Sequence, residues 1–132
     1  KVVCRYIGIL ERKQPGSGRL EVLMHRRKEG GLLGGLWEYP GVDASSPEEM
    51  REAFWREWNL EIHPVFYLFE TEHVFTHRHW KMQVYEISAA DLPEDSAEWC
   101  WADVDKQREL MIPTAFRKIQ EYLAEPEQLR LI

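Results

Sequence analysis

The stretch GLLGGLWEYPGVDASSPEEMREAFWREWNL, residues 31–60, joins a glycine-rich loop to a helix. Ser46 is a residue type that caps helices with its side-chain oxygen, and Pro47 fits the first helical position because its ring fixes φ near the helical value. Glu48 and Glu49 follow, where carboxylates interact favourably with the positive end of the helix dipole. The stretch therefore predicts a long loop and a helix directly after it.

The predicted helix has one apolar face. Met50, Phe54 and Trp58 recur at a spacing of four residues, which places them on the same side of a helix. We expect Trp58, and Trp37 in the loop before the helix, to belong to the core. Trp55 lies off the apolar face, so we expect it to be available for packing on another domain.

The chain before this stretch predicts a hairpin. Residues 2–10 are rich in β-branched and aromatic side chains, and they end at the turn-forming KQPGSG of residues 13–18. Leu20, Val22 and Met24 then alternate with polar neighbours, which is typical of a strand with one buried face. We expect residues 2–10 to pair with the strand that begins at Leu20.

The chain after the helix predicts further strands and a last helix. Strand-like runs occupy residues 60–72, 80–85 and 97–104, and residues 112–123 repeat apolar side chains at helical spacing. This order of elements indicates the α+β class, with a mixed sheet of about five or six strands flanked by helices.

The length and composition indicate one domain that covers residues 1–132. Hydrophobic residues make up 44% of the chain, which is enough for one core. No long apolar run and no signal-peptide pattern is present, so we expect a cytoplasmic protein without a membrane partner. Cys4 and Cys100 are too few for a disulfide framework or an iron–sulfur cluster, so we expect reduced thiols and no cofactor in this chain.

The net charge of −6 argues against a protein that binds nucleic acid over its whole surface. Positive charge is concentrated instead in HRRK at residues 25–28 and in HRHWK at residues 77–81. A cationic strand end such as residues 25–28 is most often solvated and without a ligand. Its place directly before the glycine-rich loop nevertheless makes it a candidate for contacts with phosphates.

Residues 71–80, TEHVFTHRHW, concentrate three histidines around Phe75 between two strand-like runs. His73, His77 and His79 have the parity of one strand face, so they can form a metal site if a strand runs straight through them. No carboxylate or cysteine is favourably spaced beside them, which weighs against metal. The other possibilities are a hairpin whose aromatic residue plugs the core, and a turn that contacts a ligand. The residues alone leave these alternatives open.

The loop GLLGGLWEYPG of residues 31–41, followed by a helix, resembles the Nudix fold, whose hydrolases carry the motif G-x5-E-x7-R-E-U-x-E-E-x-G-U with U aliphatic. In that motif glutamates bind Mg²⁺ beside a diphosphate, because this hard ion needs oxygen ligands. If Asn59 stands at the last glycine, Ala53 and Arg56 occupy glutamate positions and only Glu57 remains. A cation about 4 Å from the metal would oppose each unit of its charge by roughly 4 kcal/mol. We therefore expect a degenerate motif with no metal site and no hydrolysis.

Three segments together resemble the C-terminal domain of MutY-type adenine DNA glycosylases. They are GLLGGLWEYP at residues 31–40, HVFTH at residues 73–77 and IPTAFRK at residues 112–118. Their joint occurrence is more specific than any one segment, and the resemblance covers nearly the whole chain. The departures are Tyr39 for a phenylalanine and Thr76 for a serine.

This resemblance implies a non-catalytic domain that recognises 8-oxoguanine paired with adenine during base excision repair. The glycosylase chemistry and an iron–sulfur cluster are then expected in a separate N-terminal catalytic domain of the same protein, which would be one partner. Double-stranded DNA with 8-oxoguanine opposite adenine would be the other, in a bacterial-type cytoplasm where the protein associates with the nucleoid when it acts on DNA.

The resemblance also implies which residues contact the DNA. Those expected at the lesion are Phe75, Thr76 and His77, those expected beside phosphates are Arg78 and His79, and the strand end adds Arg26, Arg27 and Lys28. Oxidation of guanine turns N7 from an acceptor into a donor, so a hydroxyl such as that of Thr76 can accept from N7–H.

Two other functions remain possible from the sequence. The first is an active Nudix pyrophosphohydrolase that acts on oxidised nucleotides such as 8-oxo-dGTP and uses the same recognition of the oxidised base. The second is a protein-interaction module descended from either class.

Overall fold

A computed structural model describes residues 1–125 of the 132-residue chain. The elements in chain order are β1 Val2–Ile9, β2 Glu11–Lys13, β3 Leu20–Arg26, β4 Trp37–Glu38, β5 Gly41–Asp43, α1 Pro47–Trp58, β6 Ile62–Val74, β7 His79–Ala89, β8 Trp99–Ala102, α2 Val104–Glu109, a 3₁₀ turn Thr114–Phe116 and α3 Arg117–Ala124.

The contacts within the chain divide it into two compact units. One unit comprises Lys1–Glu11 and Pro40–Pro93, and the other comprises Arg12–Tyr39 and the chain from Glu94 onwards. The α+β class is confirmed, because strands and helices occur in both units. One domain over the whole sequence stays a prediction.

The first unit is built on a four-stranded sheet with the order β5-β1-β7-β6. β1 runs parallel to β7 and antiparallel to β5, while β6 and β7 pair antiparallel along most of their length. The sheet is therefore mixed, as predicted. The side chains of Ile7, Trp80, Met82 and Val84 are buried in this unit.

The helix α1 of the first unit confirms the predicted caps. The side chain of Ser46 accepts a hydrogen bond from the backbone N–H of Glu49 at 3.1 Å, and Pro47 occupies the first turn. Hydrogen bonds from Ser45 lower the pKa of the Glu49 carboxyl. Asn59 ends the helix in the left-handed conformation with φ 53°, which short polar side chains tolerate better than most.

The apolar face of α1 is also confirmed. Met50 and Phe54 are fully buried, and the half-buried Trp58 packs edge-to-face on Phe54 with ring centroids 5.0 Å apart. Trp55, which lies off this face, is 56% exposed.

The second unit contains a sheet in which β3 pairs with β2, β4 and β8. α2 was not predicted, because a six-residue helix that buries only Gln107 has no apolar period to detect. α3 buries Ile119 and Leu123, and the 3₁₀ turn before it buries Phe116, so the predicted apolar spacing is confirmed. No helix in residues 1–125 is long and apolar enough to cross a membrane.

The predicted hairpin between residues 2–10 and the strand at Leu20 is wrong. β1 lies between β5 and β7 in the first sheet, and only the short β2 pairs with β3. A strand that is apolar at most positions suits such a central place, with partners on both sides. The described residues therefore contain eight strands in two sheets, rather than five or six in one.

Candidate nucleic-acid interface

The histidine-rich stretch at residues 71–80 folds as a hairpin between β6 and β7. Val74 pairs with His79 and His73 pairs with Trp80, and the N–H of Phe75 donates to the carbonyl of Arg78 at 2.7 Å. Paired residues share a sheet face, so His73 and His79 lie on opposite faces. The three histidines therefore do not share one face of a straight strand, which the metal site would have required.

Residues 75–78, called here the 75–78 turn, combine an anchor with an exposed tip. The ring of Phe75 is half-buried, with its centroid 5.0 Å from that of Trp80 and 4.7 Å from that of His73, edge-to-face in both cases. Thr76, His77 and Arg78 are exposed. The aromatic residue thus packs inward, while a hydroxyl, an imidazole and a guanidinium face the solvent.

His79 differs from the residues of the tip. It begins β7, and its Nε2 lies 3.2 Å from a carboxylate oxygen of Glu72 on the facing strand. A phosphate that binds His79 would therefore compete with Glu72. The sequence did not indicate this contact between the two residues.

The three cations at the end of β3, in the second unit, have different surroundings. Arg27 donates to the carbonyl of Leu32 at 2.9 Å and to the buried carboxylate of Glu38 at 2.8 Å. Arg26 donates to the carbonyl of Gly35 at 3.1 Å yet remains exposed, and Lys28 is exposed too. Arg27 therefore holds the glycine-rich loop, whereas Arg26 and Lys28 are available for contacts with phosphates.

A polar cluster around the buried His25 lies beside Arg27 and was not predicted from the sequence. The Nδ1 of His25 lies 2.8 Å from Glu38, and its Nε2 lies 2.9 Å from Glu98. His25 is 5% exposed and its ring packs against that of Trp99 at 4.7 Å. The sequence feature that could have indicated this cluster is a histidine directly after the apolar residues of a predicted strand.

The degenerate motif on α1 does not fit a divalent metal. Asn59, which is aligned with the motif's last glycine, has the left-handed conformation that glycine adopts most easily. Ala53, at a glutamate position, is 2% exposed, and Arg56 and Glu57 point to the surface. Among residues 1–125 no three histidine, cysteine, aspartate or glutamate side chains converge closely enough to hold an ion.

A shallow groove of about 310 Å³ lies along α1 in the first unit. It is lined by Glu48, Arg51, Glu52, Trp55, Glu61 and Ile62. Arg51 donates to the carbonyl of Ile62 at 3.2 Å and lies 3.7 Å from Glu48. The groove is acidic on balance, which disfavours phosphates there.

Tyr39, one of the two departures, and both cysteines have surroundings that explain their state. The hydroxyl of Tyr39 donates to the side chain of Gln107 at 2.7 Å, and burial raises the pKa of this tyrosine far above its ordinary value. Burial also raises the pKa of the thiols of Cys4 and Cys100. Both thiols therefore stay protonated at neutral pH, where they are poor nucleophiles.

Comparisons with known proteins agree with the resemblance. The model of the NUDIX domain matches residues 12–122. The adenine DNA glycosylase of Rattus norvegicus is 31% identical over 117 residues, which cover 81% of this chain and 23% of that protein. The glycosylase of Homo sapiens is 33% identical over 82 residues, which cover 58% of this chain and 15% of that protein. The chain thus spans less than a quarter of the length of these relatives.

Solved structures share the fold. The MutT protein of Methanosarcina mazei has a TM-score of 0.72 and 20% identity, covering 92% of each chain. The C-terminal domain of mouse MUTYH, solved with human PCNA, has a TM-score of 0.65 and 22% identity, covering 89% of this chain and 84% of that one. The NUDIX match extends over most of the sequence, so the chain belongs to the NUDIX domain family.

Proposed function

We propose that the chain is a non-catalytic lesion-recognition domain of an adenine DNA glycosylase, which reads 8-oxoguanine paired with adenine in double-stranded DNA. Its similarity to mammalian adenine DNA glycosylases supports the parentage. The observation that carries the proposal is the exposed tip of the 75–78 turn, with Thr76, His77 and Arg78 facing the solvent.

The chemistry of the tip suits an oxidised guanine. The hydroxyl of Thr76 accepts from N7–H, a donor that guanine lacks, and an N–H donor of the tip binds the added oxygen at C8. His77 supplies a further polar contact to the base. Arg78 then binds a neighbouring phosphate, which fixes the turn on the duplex without reading its sequence.

The strand end in the second unit contributes phosphate contacts in this proposal. Arg26 and Lys28 are the exposed cations there, whereas Arg27 is committed to Glu38. Adenine excision itself is assigned to a catalytic domain outside these residues, together with the iron–sulfur cluster that the resemblance implies. Nothing in the degenerate motif on α1 is needed for recognition.

The proposal is tested by equilibrium binding of the 132-residue chain to two duplexes that differ at one base. One carries 8-oxoguanine opposite adenine, and the other carries guanine opposite adenine. We expect the wild-type chain to prefer the lesion, and the double variant Thr76→Ala/His77→Ala to bind both duplexes equally. Phe75 is kept in this variant because its ring anchors the turn on Trp80.

The matched control is Ser17→Ala, which removes an exposed hydroxyl from the turn between β2 and β3 in the other unit. We expect it to keep the full lesion preference. Equal binding of both duplexes by the wild-type chain would refute the proposal, as would an undiminished preference in the double variant.

The second candidate is a pyrophosphohydrolase for oxidised nucleotides. Its supporting observation is the match of residues 12–122 to the model of the NUDIX domain. The test is release of phosphate from 8-oxo-dGTP with Mg²⁺ or Mn²⁺, in the wild-type chain and in Glu57→Gln. Our proposal expects no release above background. Metal-dependent release that Glu57→Gln abolishes would favour the hydrolase instead.

A further inference from the structure

A row of packed side chains runs inward from the 75–78 turn within the first unit. The ring of Phe75 meets the ring of Trp80 edge-to-face at 5.0 Å. Trp80 is 2% exposed, and the guanidinium carbon of Arg5 lies 4.8 Å from the centroid of its ring. Each ring therefore has a neighbour that limits its tilt, and the far end of the row is a cation.

Arg5 is held firmly at the inner end of this row. It donates to the carboxylate of Asp43 at 2.8 Å and to the carbonyl of Gly41 at 2.9 Å. A Cβ atom added at Gly41 would lie 3.2 Å from the Arg5 guanidinium and 2.5 Å from Ile7, so the glycine permits this close approach. The contacts with β5 thus fix the position of the guanidinium beside the Trp80 ring.

A charged residue at this position needs an explanation beyond packing. Arg5 pairs in register with Met82 on β7 and with Asp43 on β5, so on one side its neighbour is a fully buried apolar residue. Its side chain is only 11% exposed. Desolvating a guanidinium is costly unless its hydrogen bonds and a cation–π contact compensate. A hydrophobic side chain would fill the same space without that cost.

We propose that Arg5 is a positioning residue for the 75–78 turn, which acts through Trp80 and Phe75 and so sets the preference for the lesion. This inference rests on the proposed function. The guanidinium fixes the tilt of the Trp80 ring, the ring fixes Phe75, and Phe75 supplies the N–H that closes the turn on the carbonyl of Arg78. Loss of the cation leaves the turn folded but less uniform in its geometry.

The decisive variant is Arg5→Met, which keeps an unbranched stem and removes the charge and its hydrogen bonds. We expect amide hydrogen exchange at Phe75 to become about threefold to tenfold faster. This factor corresponds to the loss of one cation–π contact of moderate strength. The internal reference is the N–H of Gly8, which donates to the carbonyl of Pro40 at 2.8 Å in the same unit. A merely structural role would speed both amides together.

The matched control is Arg12→Met in the second unit. Arg12 makes the same kind of contact, with its guanidinium carbon 4.1 Å from the Trp101 ring and a bond of 3.1 Å to Glu21. We expect it to leave exchange at Phe75 unchanged. Arg5→Lys keeps a cation beside Trp80, so we expect it to retain the larger part of the protection.

Binding of the same variants to the lesion duplex and the undamaged duplex completes the test. We expect Arg5→Met to lower the preference by about threefold to tenfold with unchanged affinity for undamaged DNA, and to be non-additive with Thr76→Ala. Unchanged exchange at Phe75 relative to Gly8 would overturn the inference alone, as would faster exchange with an intact preference. A wild-type chain without any lesion preference would instead overturn the proposed function, and with it this role of Arg5.

Discussion

Phe75 and Thr76 are neighbours in the chain, yet they face different surroundings. The ring of Phe75 packs between His73 and Trp80, whereas the hydroxyl of Thr76 is exposed. The sequence left two places open for Phe75, one in the core and one at the lesion, because its direction depends on where the hairpin reverses. A similar limit applies to Arg27, whose buried partner Glu38 is eleven residues away.

At the residue scale we predict a modest effect of Thr76→Ala on the lesion preference. The hydroxyl contributes one hydrogen bond to N7–H, and it can rotate to donate to the acceptor N7 of ordinary guanine. We therefore expect the variant to lose about 0.5–1.5 kcal/mol of preference, or roughly twofold to tenfold. The measurement is the ratio of the two dissociation constants. A complete loss of preference would contradict this prediction, because one hydrogen bond from the hydroxyl would not account for it.

At the scale of elements, the sequence predicted the helix α1 correctly but not which strand pairs with β1. The caps and the spacing of Met50 and Phe54 predicted α1 because they act within one helix. The partner of β1 was predicted wrongly because its parallel neighbour is β7, where Val2 pairs with His79. The Arg5 contact with Trp80 was missed for the same reason, although an arginine within an apolar run was a visible signal.

The cap of α1 gives a prediction at this scale. Ser46→Ala removes the acceptor of the Glu49 N–H, so we expect the free energy of unfolding to fall by about 1 kcal/mol. Urea denaturation measures it, and binding to both duplexes should not change. The control is Ser88→Ala on β7, an exposed serine whose loss should cost less than about 0.5 kcal/mol. Equal destabilisation by both variants would contradict the role of the cap.

At the scale of the whole molecule, a net charge of −6 restricts DNA binding to local cations. The exposed candidates are Arg26, Lys28 and Arg78. Neutralising about three phosphates gives a slope near −3 for the logarithm of affinity against that of salt. The composition predicted such local binding, but only the structure separated these three residues from Arg27.

We therefore predict that Arg26→Ala/Lys28→Ala weakens binding to the lesion duplex and the undamaged duplex alike. Phosphates carry no base identity, so the lesion preference should persist while the salt slope falls by about 2. Arg27→Ala is the contrasting variant: it leaves the buried Glu38 without one donor, so we expect a lower free energy of unfolding and a smaller change in slope. Titration at several salt concentrations provides both values. A selective loss of lesion binding in the double variant would contradict the assignment.

The most direct test of recognition by the 75–78 turn is an NMR titration of the isotope-labelled chain with the two duplexes. We predict that the amides of Phe75, Thr76 and His77 shift with the 8-oxoguanine duplex and much less with the undamaged one. The amides of Arg26 and Lys28 should shift similarly with both duplexes, because these residues contact phosphates, which are the same in both. Identical shifts of the turn with both duplexes, or lesion-specific shifts confined to the groove at Trp55, would contradict the account.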